Sequence, residues 1–133
     1  FKKYLEVYDP ETNRPYCHVN DFAKIISLIV EEQDLSKVNE QIFNAGSDIN
    51  NSSKINLVKI IKKFIPDLNY TIVKNDLDQR DYVVSFKKIN NLFSFLPKYN
   101  IEDGVIEILN FLKEGNHKLD QNKEFFGNYK LLK

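Results

Sequence analysis

The sequence is poor in the residues that carry chemistry most readily. Of 133 residues, one is Cys, four are Gly, four are Pro and two are His, and there is no Met or Trp. The single cysteine, Cys17, excludes an internal disulfide and fits a reducing compartment, so a cytoplasmic setting is expected. The glycines Gly46, Gly104, Gly115 and Gly127 stand too far apart for a P-loop or for the glycine fingerprint of a dinucleotide-binding turn. No sign of charge is in excess: nineteen basic residues balance nineteen acidic ones, which argues against nucleic acid as the main partner. The longest apolar run, Ile25-Ile26-Ser27-Leu28-Ile29-Val30, is far short of the roughly 20 residues a membrane span needs, so no membrane partner is expected. The chain starts at Phe1 with no signal-peptide pattern and reads as a fragment of a longer protein.

What is present is an ordinary globular composition, 42% apolar and 29% charged, enough for one domain over residues 1–133 with a polar tail at 116–133. Residues 1–8 read as a strand and Asp9 to Asn13 as a turn. Asn20 or Asp21 is placed to cap a helix running to about Gln33. Its residues Phe22, Ile25, Ile26, Ile29 and Val30 have the spacing of one buried face. Gln41 to Gly46 reads as a strand and Ser47 to Ser53 as a polar loop, with Ser52 or Ser53 capping a helix at 54–65 that Pro66 stops. Tyr70 to Val73 is β-rich, Lys74 to Asp81 a charged loop, Tyr82 to Val84 extended, and Phe86 to Phe93 a short helix. Asn100 and Asp103 form a capping-box pattern for a helix at about 101–114, ended by Gly115. The sum is a mixed α/β unit with about three main helices and four or five short strands.

Few residues invite a chemical reading. No His, Cys, Asp or Glu set has metal-ligand spacing, and the Asp76, Asp78, Asp81 cluster lacks the glycine and closing Glu of a calcium loop. No Gly-x-Ser-x-Gly elbow occurs, and Cys17 beside His18 reads as a small buried residue rather than an activated thiol. The arginines are more informative. Seventeen Lys stand against only Arg14 and Arg80. A guanidinium presents a planar fork that grips two phosphate oxygens, which an ammonium does not. Both arginines fall on loops that feed helices, where functional groups concentrate. The alternative is a structural ion pair, for Arg80 with Asp76, Asp78 or Glu102.

Several strings then fall into a recognisable order. Arg14-Pro15-Tyr16-Cys17-His18-Val19-Asn20-Asp21-Phe22-Ala23 resembles the R-x-Y-x-H-V-x-D-x-A motif of extended short-chain dehydrogenase/reductases, the NAD-dependent epimerases and dehydratases of nucleotide sugars. Ile42 to Gly46 resembles the strand that follows in that family. Residues Asp78 to Ile89 resemble its D-x-R-x-Y-x-V-D-x-x-K-I string. Leu92 to Pro97 stands where L-G-F-x-P is usual, with Ser94 in place of the glycine. Ile101-Glu102-Asp103-Gly104-Val105 resembles the closing helix.

The resemblance covers residues 14–115 and implies the C-terminal, substrate-binding part of such an enzyme. The half that would hold NAD or NADP and the catalytic Tyr-x-x-x-Lys pair is then missing. Two such strings occur, Tyr70 to Lys74 and Tyr129 to Lys133, about what chance gives. The pair needs a helix, where i and i+4 lie about 6 Å apart. On a strand that spacing spans about 13 Å. By resemblance, Arg14 contacts the diphosphate of a sugar nucleotide, with Arg80 near the second such arginine, a position several members fill where Asn75 stands here. Asp21, as cap and loop organiser, His18, Asn44 and Tyr82 take structural parts of the motifs. The implied function is to position a nucleotide-diphosphate sugar for hydride transfer to a cofactor held elsewhere. The alternative is a non-catalytic binding or interaction module of the same fold. Intact relatives are usually homodimers, and the fragment, deprived of the surface against which it packs, is expected to be inactive alone and to self-associate.

Overall fold

The first strand finds its partner far along the sequence. In the computed structural model, which describes residues 4–74 and 80–115, β1 (Tyr4–Tyr8) pairs in parallel with a strand at Asn69–Val73. Parallel strands need a long crossover. Here it contains β2 (Asn13–Pro15), α1 (Val19–Glu31), β3 (Asn51–Ser53) and α2 (Lys54–Phe64), so the strand at 69–73 is β4. β2 and β3 pair antiparallel, with Arg14 opposite Ser52. After β4 come α3 (Lys87–Phe93) and α4 (Ile101–Lys113), the latter packed on α2. Single 3-10 turns lie at Leu35–Lys37 and Asp48–Asn50. The expected mixed α/β class is what the described residues form.

The helix starts follow from local chemistry. Ser53 Oγ accepts from the Asn56 N–H, and the carbonyls of Thr12 and Pro10 take the N–H groups of Lys54 and Ile55 at 3.2 and 2.8 Å. The turn after β1 thus satisfies donors that the first turn of α2 leaves open. Asn100 and Asp103 make the full reciprocal box at the start of α4. The cap of α1 differs from expectation: His18 occupies it, its Nδ1 accepting from the Asn20 N–H at 3.2 Å, while Asn20 and Asp21 lie inside the helix.

Three further expectations are corrected. Residues 41–46 form no strand, because no described segment offers them a backbone ladder. Asn51–Ser53, read as loop, is a strand, because β2 supplies a partner that a short polar run does not announce. The apolar face of α1 is only partly covered. Ile25 is buried with Phe86, Ile89 and Phe95, and Leu28 and Ile29 pack against them. Phe22, Ile26 and Val30 are exposed, with Val19, because nothing described lies over that side. Gly46 closes the core: a Cβ there would sit 2.8 Å from the Phe86 ring, at a φ of 149° that side chains rarely adopt.

Two predictions follow from this packing. Ser94 ends α3 in the left-handed region at φ 49°, which costs a side-chain-bearing residue about 1 kcal/mol. Ser94→Gly is expected to stabilise the fold by about 0.5 kcal/mol, part of the relief being offset by a freer unfolded chain; an unchanged or lower urea midpoint would contradict this. The uncovered stripe of Val19, Phe22, Ile26 and Val30, with Ile42 85% and Leu96 86% exposed, is expected to drive self-association. Sedimentation velocity showing only monomer at high concentration would count against it.

Candidate functional site

Arg14 and the backbone of Arg80, distant in sequence, meet in space. Arg14, on β2, directs Nη1 to its neighbour's carbonyl, Asn13 O, at 2.7 Å and to the backbone carbonyl of Arg80. Its guanidinium carbon stands 5.4 Å from the centre of the Tyr82 ring, within cation–π range. Asp81, between Arg80 and Tyr82, accepts from the Asn13 N–H at 2.7 Å and from its Nδ2 at 3.1 Å. These bonds, the backbone one first, together with the Arg14 charge, hold the Asp81 carboxyl below its ordinary pKa. The ionised tether therefore favours the folded state above the usual aspartate range and loses that contribution as the pH falls through the depressed value. Glu102, one alternative partner for Arg80, instead pairs with Lys63 at 2.8 Å. Asn75, Asp76 and Asp78 lie outside the described residues.

Short polar side chains from residues 44–51 carry this segment onward. Asn51 makes a two-way bond with Val84, donating to its carbonyl and accepting from its N–H, both at 2.9 Å. Asp48 Oδ1 accepts from the Phe86 N–H at 2.8 Å, and Asn44 Nδ2 donates to Ser85 O at 3.2 Å. The run 82–84, read as extended, is thus held by side chains rather than by a neighbouring strand. Of these anchors the sequence reading named only Asn44. The density of Asn and Asp through 44–51 was the available signal, since such side chains mimic backbone partners.

His18 and Asp21 gather at a second locus. The Asp21 carboxylate is buried and accepts from the N–H groups of Lys98 and Tyr99 at 3.0–3.1 Å. The His18 ring stacks on Tyr99 at 4.1 Å, and its Nε2 lies 2.9 Å from Glu107 of α4. Because Nδ1 accepts the capping bond, Nε2 is the nitrogen that donates to Glu107. Asn50 Nδ2 adds a bond to Tyr99 O at 2.9 Å. A cavity of about 310 Å³ opens alongside, lined by Val19, Leu57, Ile101, Val105 and Ile108 with His18 and Glu107.

Other candidates resolve simply. Cys17 is exposed rather than buried, because the ring of His18 takes the inward place in this extended pair. Partial burial of its sulfur, then the Asp21 charge, push the thiol upward, away from an activated state. No His, Cys, Asp and Glu cluster able to hold a metal occurs among the described residues. Tyr70 lies on β4 opposite Leu5, so its string with Lys74 has strand and not helix geometry; Tyr129 and Lys133 lie outside the described residues, as does the tail 116–133. The described glycines do not form a dinucleotide cradle: Gly104 is inside α4, and Gly46 and Gly115 stand singly in unrelated turns. No described helix is long and apolar enough to cross a membrane.

With this geometry in hand, the comparisons are informative. No protein-family model matches the chain. Its sequence is 35% identical over 95 residues to CDP-paratose 2-epimerase of Salmonella typhi, a match spanning 69% of this chain and 28% of the relative. Its fold matches dTDP-glucose 4,6-dehydratase from Bacillus anthracis, solved in complex with NAD. The TM-score there is 0.69 at 24% identity, over 86% of this chain and 36% of that one. L-threonine dehydrogenase from Clostridium difficile gives a TM-score of 0.72 at 17% identity, over 86% and 37%. At these identities the solved structures establish the fold. The chain spans about a third of the length of the proteins it matches.

The buried Asp21 carries a prediction. Asp21→Ala leaves the N–H groups of Lys98 and Tyr99 without acceptors in a partly buried place, at about 1–3 kcal/mol for each orphaned group. A total loss of about 2–4 kcal/mol is expected in equilibrium denaturation; a midpoint equal to wild type would show that water replaces the carboxylate freely.

Proposed function

We propose that this chain, part of an extended short-chain dehydrogenase/reductase of the nucleotide-sugar epimerase/dehydratase family, binds the substrate of its parent enzyme, a nucleotide-diphosphate sugar. The observation that carries the reading is the convergence of Arg14 and Arg80 through one hydrogen bond, beside the Tyr82 ring. The Arg14 fork on β2, with the backbone of Arg80 brought alongside it, suits a doubly charged linkage between nucleoside and sugar. The aromatic ring beside Arg14 helps to orient its guanidinium plane. In the parent, gripping the diphosphate aims the sugar at the reacting centre, and remote contacts of this kind convert binding energy into orientation. A bound NAD or NADP belongs, on this reading, to the rest of the parent. The parent, on this reading, is an enzyme of carbohydrate metabolism, an isomerase or lyase, and the single cysteine of the present chain is compatible with a cytoplasmic setting.

The match to an L-threonine dehydrogenase favours keeping the second reading, a module of this fold with another ligand or none, because one scaffold serves unlike substrates. Titration of the protein with CDP-, UDP- and dTDP-sugars separates the two. Arg14→Ala is expected to weaken binding about 10- to 100-fold, the range for losing charge-assisted hydrogen bonds. Arg14→Lys, which keeps the charge but not the fork, should recover little of it. Equal affinity in wild type and Arg14→Ala, or no binding to either, overturns the proposal.

A further inference from the structure

We propose that Asp81 is a positioning residue, tethering the segment that bears Arg80 and Tyr82 to β2 so that both arginines face one ligand. The inference rests on the diphosphate reading of Arg14 and Arg80. Four contacts join β2 to residues 80–82. Two belong to Arg14: its bond to the Arg80 carbonyl and its approach to the Tyr82 ring. The other two belong to Asp81, which accepts at Oδ1 from the Asn13 N–H at 2.7 Å and from Asn13 Nδ2 at 3.1 Å. An anion drawing the Arg14 fork toward itself competes with the bond to the Arg80 carbonyl. It does not compete with the bonds to Asp81, which use backbone and amide donors on the neighbouring residue. The tether therefore holds when the ligand engages Arg14, and the 80–82 segment stays in place.

The strand geometry explains why Asn13 is available. N–H groups alternate between the two edges of a strand. The Tyr16 N–H reaches Asn50 O, continuing the pairing of β2 with the chain ahead of β3. The Asn13 N–H points the other way, to an edge without a strand among the described residues, and Asp81 is its acceptor. A carboxylate beside a diphosphate site also carries a cost, since its charge repels the ligand and attracts Arg14. Tether and charge make opposite contributions to binding, which makes the role separable by mutation.

The test uses two variants, UDP-glucose and CDP-glucose as probes, and a readout that needs no ligand. Asp81→Asn keeps an oxygen for both Asn13 donors and removes the charge; affinity equal to or above wild type is expected. Asp81→Ala removes the acceptor; affinity about tenfold lower is expected, with an unfolding midpoint somewhat below wild type, as the tether's own contribution to folding is lost. In the free protein, NMR cross-peaks between the Arg14 side chain and the Tyr82 ring should persist in Asp81→Asn and fade in Asp81→Ala. Wild-type affinity and intact cross-peaks in Asp81→Ala overturn the positioning role. Should Asp81→Ala fail to fold, Asp81→Asn decides: loss of the cross-peaks or weaker binding in that variant overturns it as well. Unchanged affinity in Arg14→Ala and Arg80→Ala overturns the diphosphate reading instead, and the cross-peaks then judge the tether by itself.

Discussion

The buried carboxylate of Asp21 is the interaction on which the arrangement of helices depends. It sits in the first turn of α1, where the helix dipole favours a negative charge. Its oxygens are used on backbone donors of Lys98 and Tyr99, at the entry to α4. A charge removed from water is tolerated only where hydrogen bonds replace hydration. The turn before α4 is thus drawn onto α1, and Asn50 and the ring of His18 complete its fixation. One aspartate therefore links the start of one helix to the start of another that lies far away in sequence.

The same device recurs on the other side of the core. Residues 81–86 have no strand partner among the described residues, yet they follow a defined course. Asn44, Asp48 and Asn51 supply the backbone partners a ladder would have provided, and the Asp81 side chain ties itself to Asn13. This polar stitching places Phe86 against Ile25 and Ile89, and close to Gly46, where no side chain fits. It also brings Arg80 to Arg14. Packing and candidate site thus share one set of hydrogen bonds, and a change that loosens the loop disturbs both.

The uncovered side of α1 has a different character. Ile25 meets the core, while Val19, Phe22, Ile26 and Val30 meet solvent. An amphipathic pattern states that a face is meant to be covered; it does not state by what. In a chain that spans about a third of its relatives, that stripe and the unpaired run at 41–46 mark where the described residues stop completing one another.

Local chemistry was legible from the residues alone. The caps at Ser53 and Asn100, the stop at Pro66, the β-rich run before the charged loop and the class of the fold all arise from interactions within a few positions, and so did the family likeness through its ordered motifs. The left-handed turn at Ser94 was not read from the residues, although a glycine is usual at that place in the resembling motif. Tertiary structure alone decided the rest. Whether 51–53 is a strand depends on β2 lying beside it, and whether 41–46 is one depends on a neighbour the described residues do not offer. His18 became the cap of α1 because Tyr99 and Glu107 hold its ring in place, leaving Asp21 free to bind a distant turn. Arg14 lies beside the backbone of Arg80 because the segment after β4 returns to the edge of β2. Hydrogen-bond partners separated by most of the chain leave no periodic trace, so no window of residues records them.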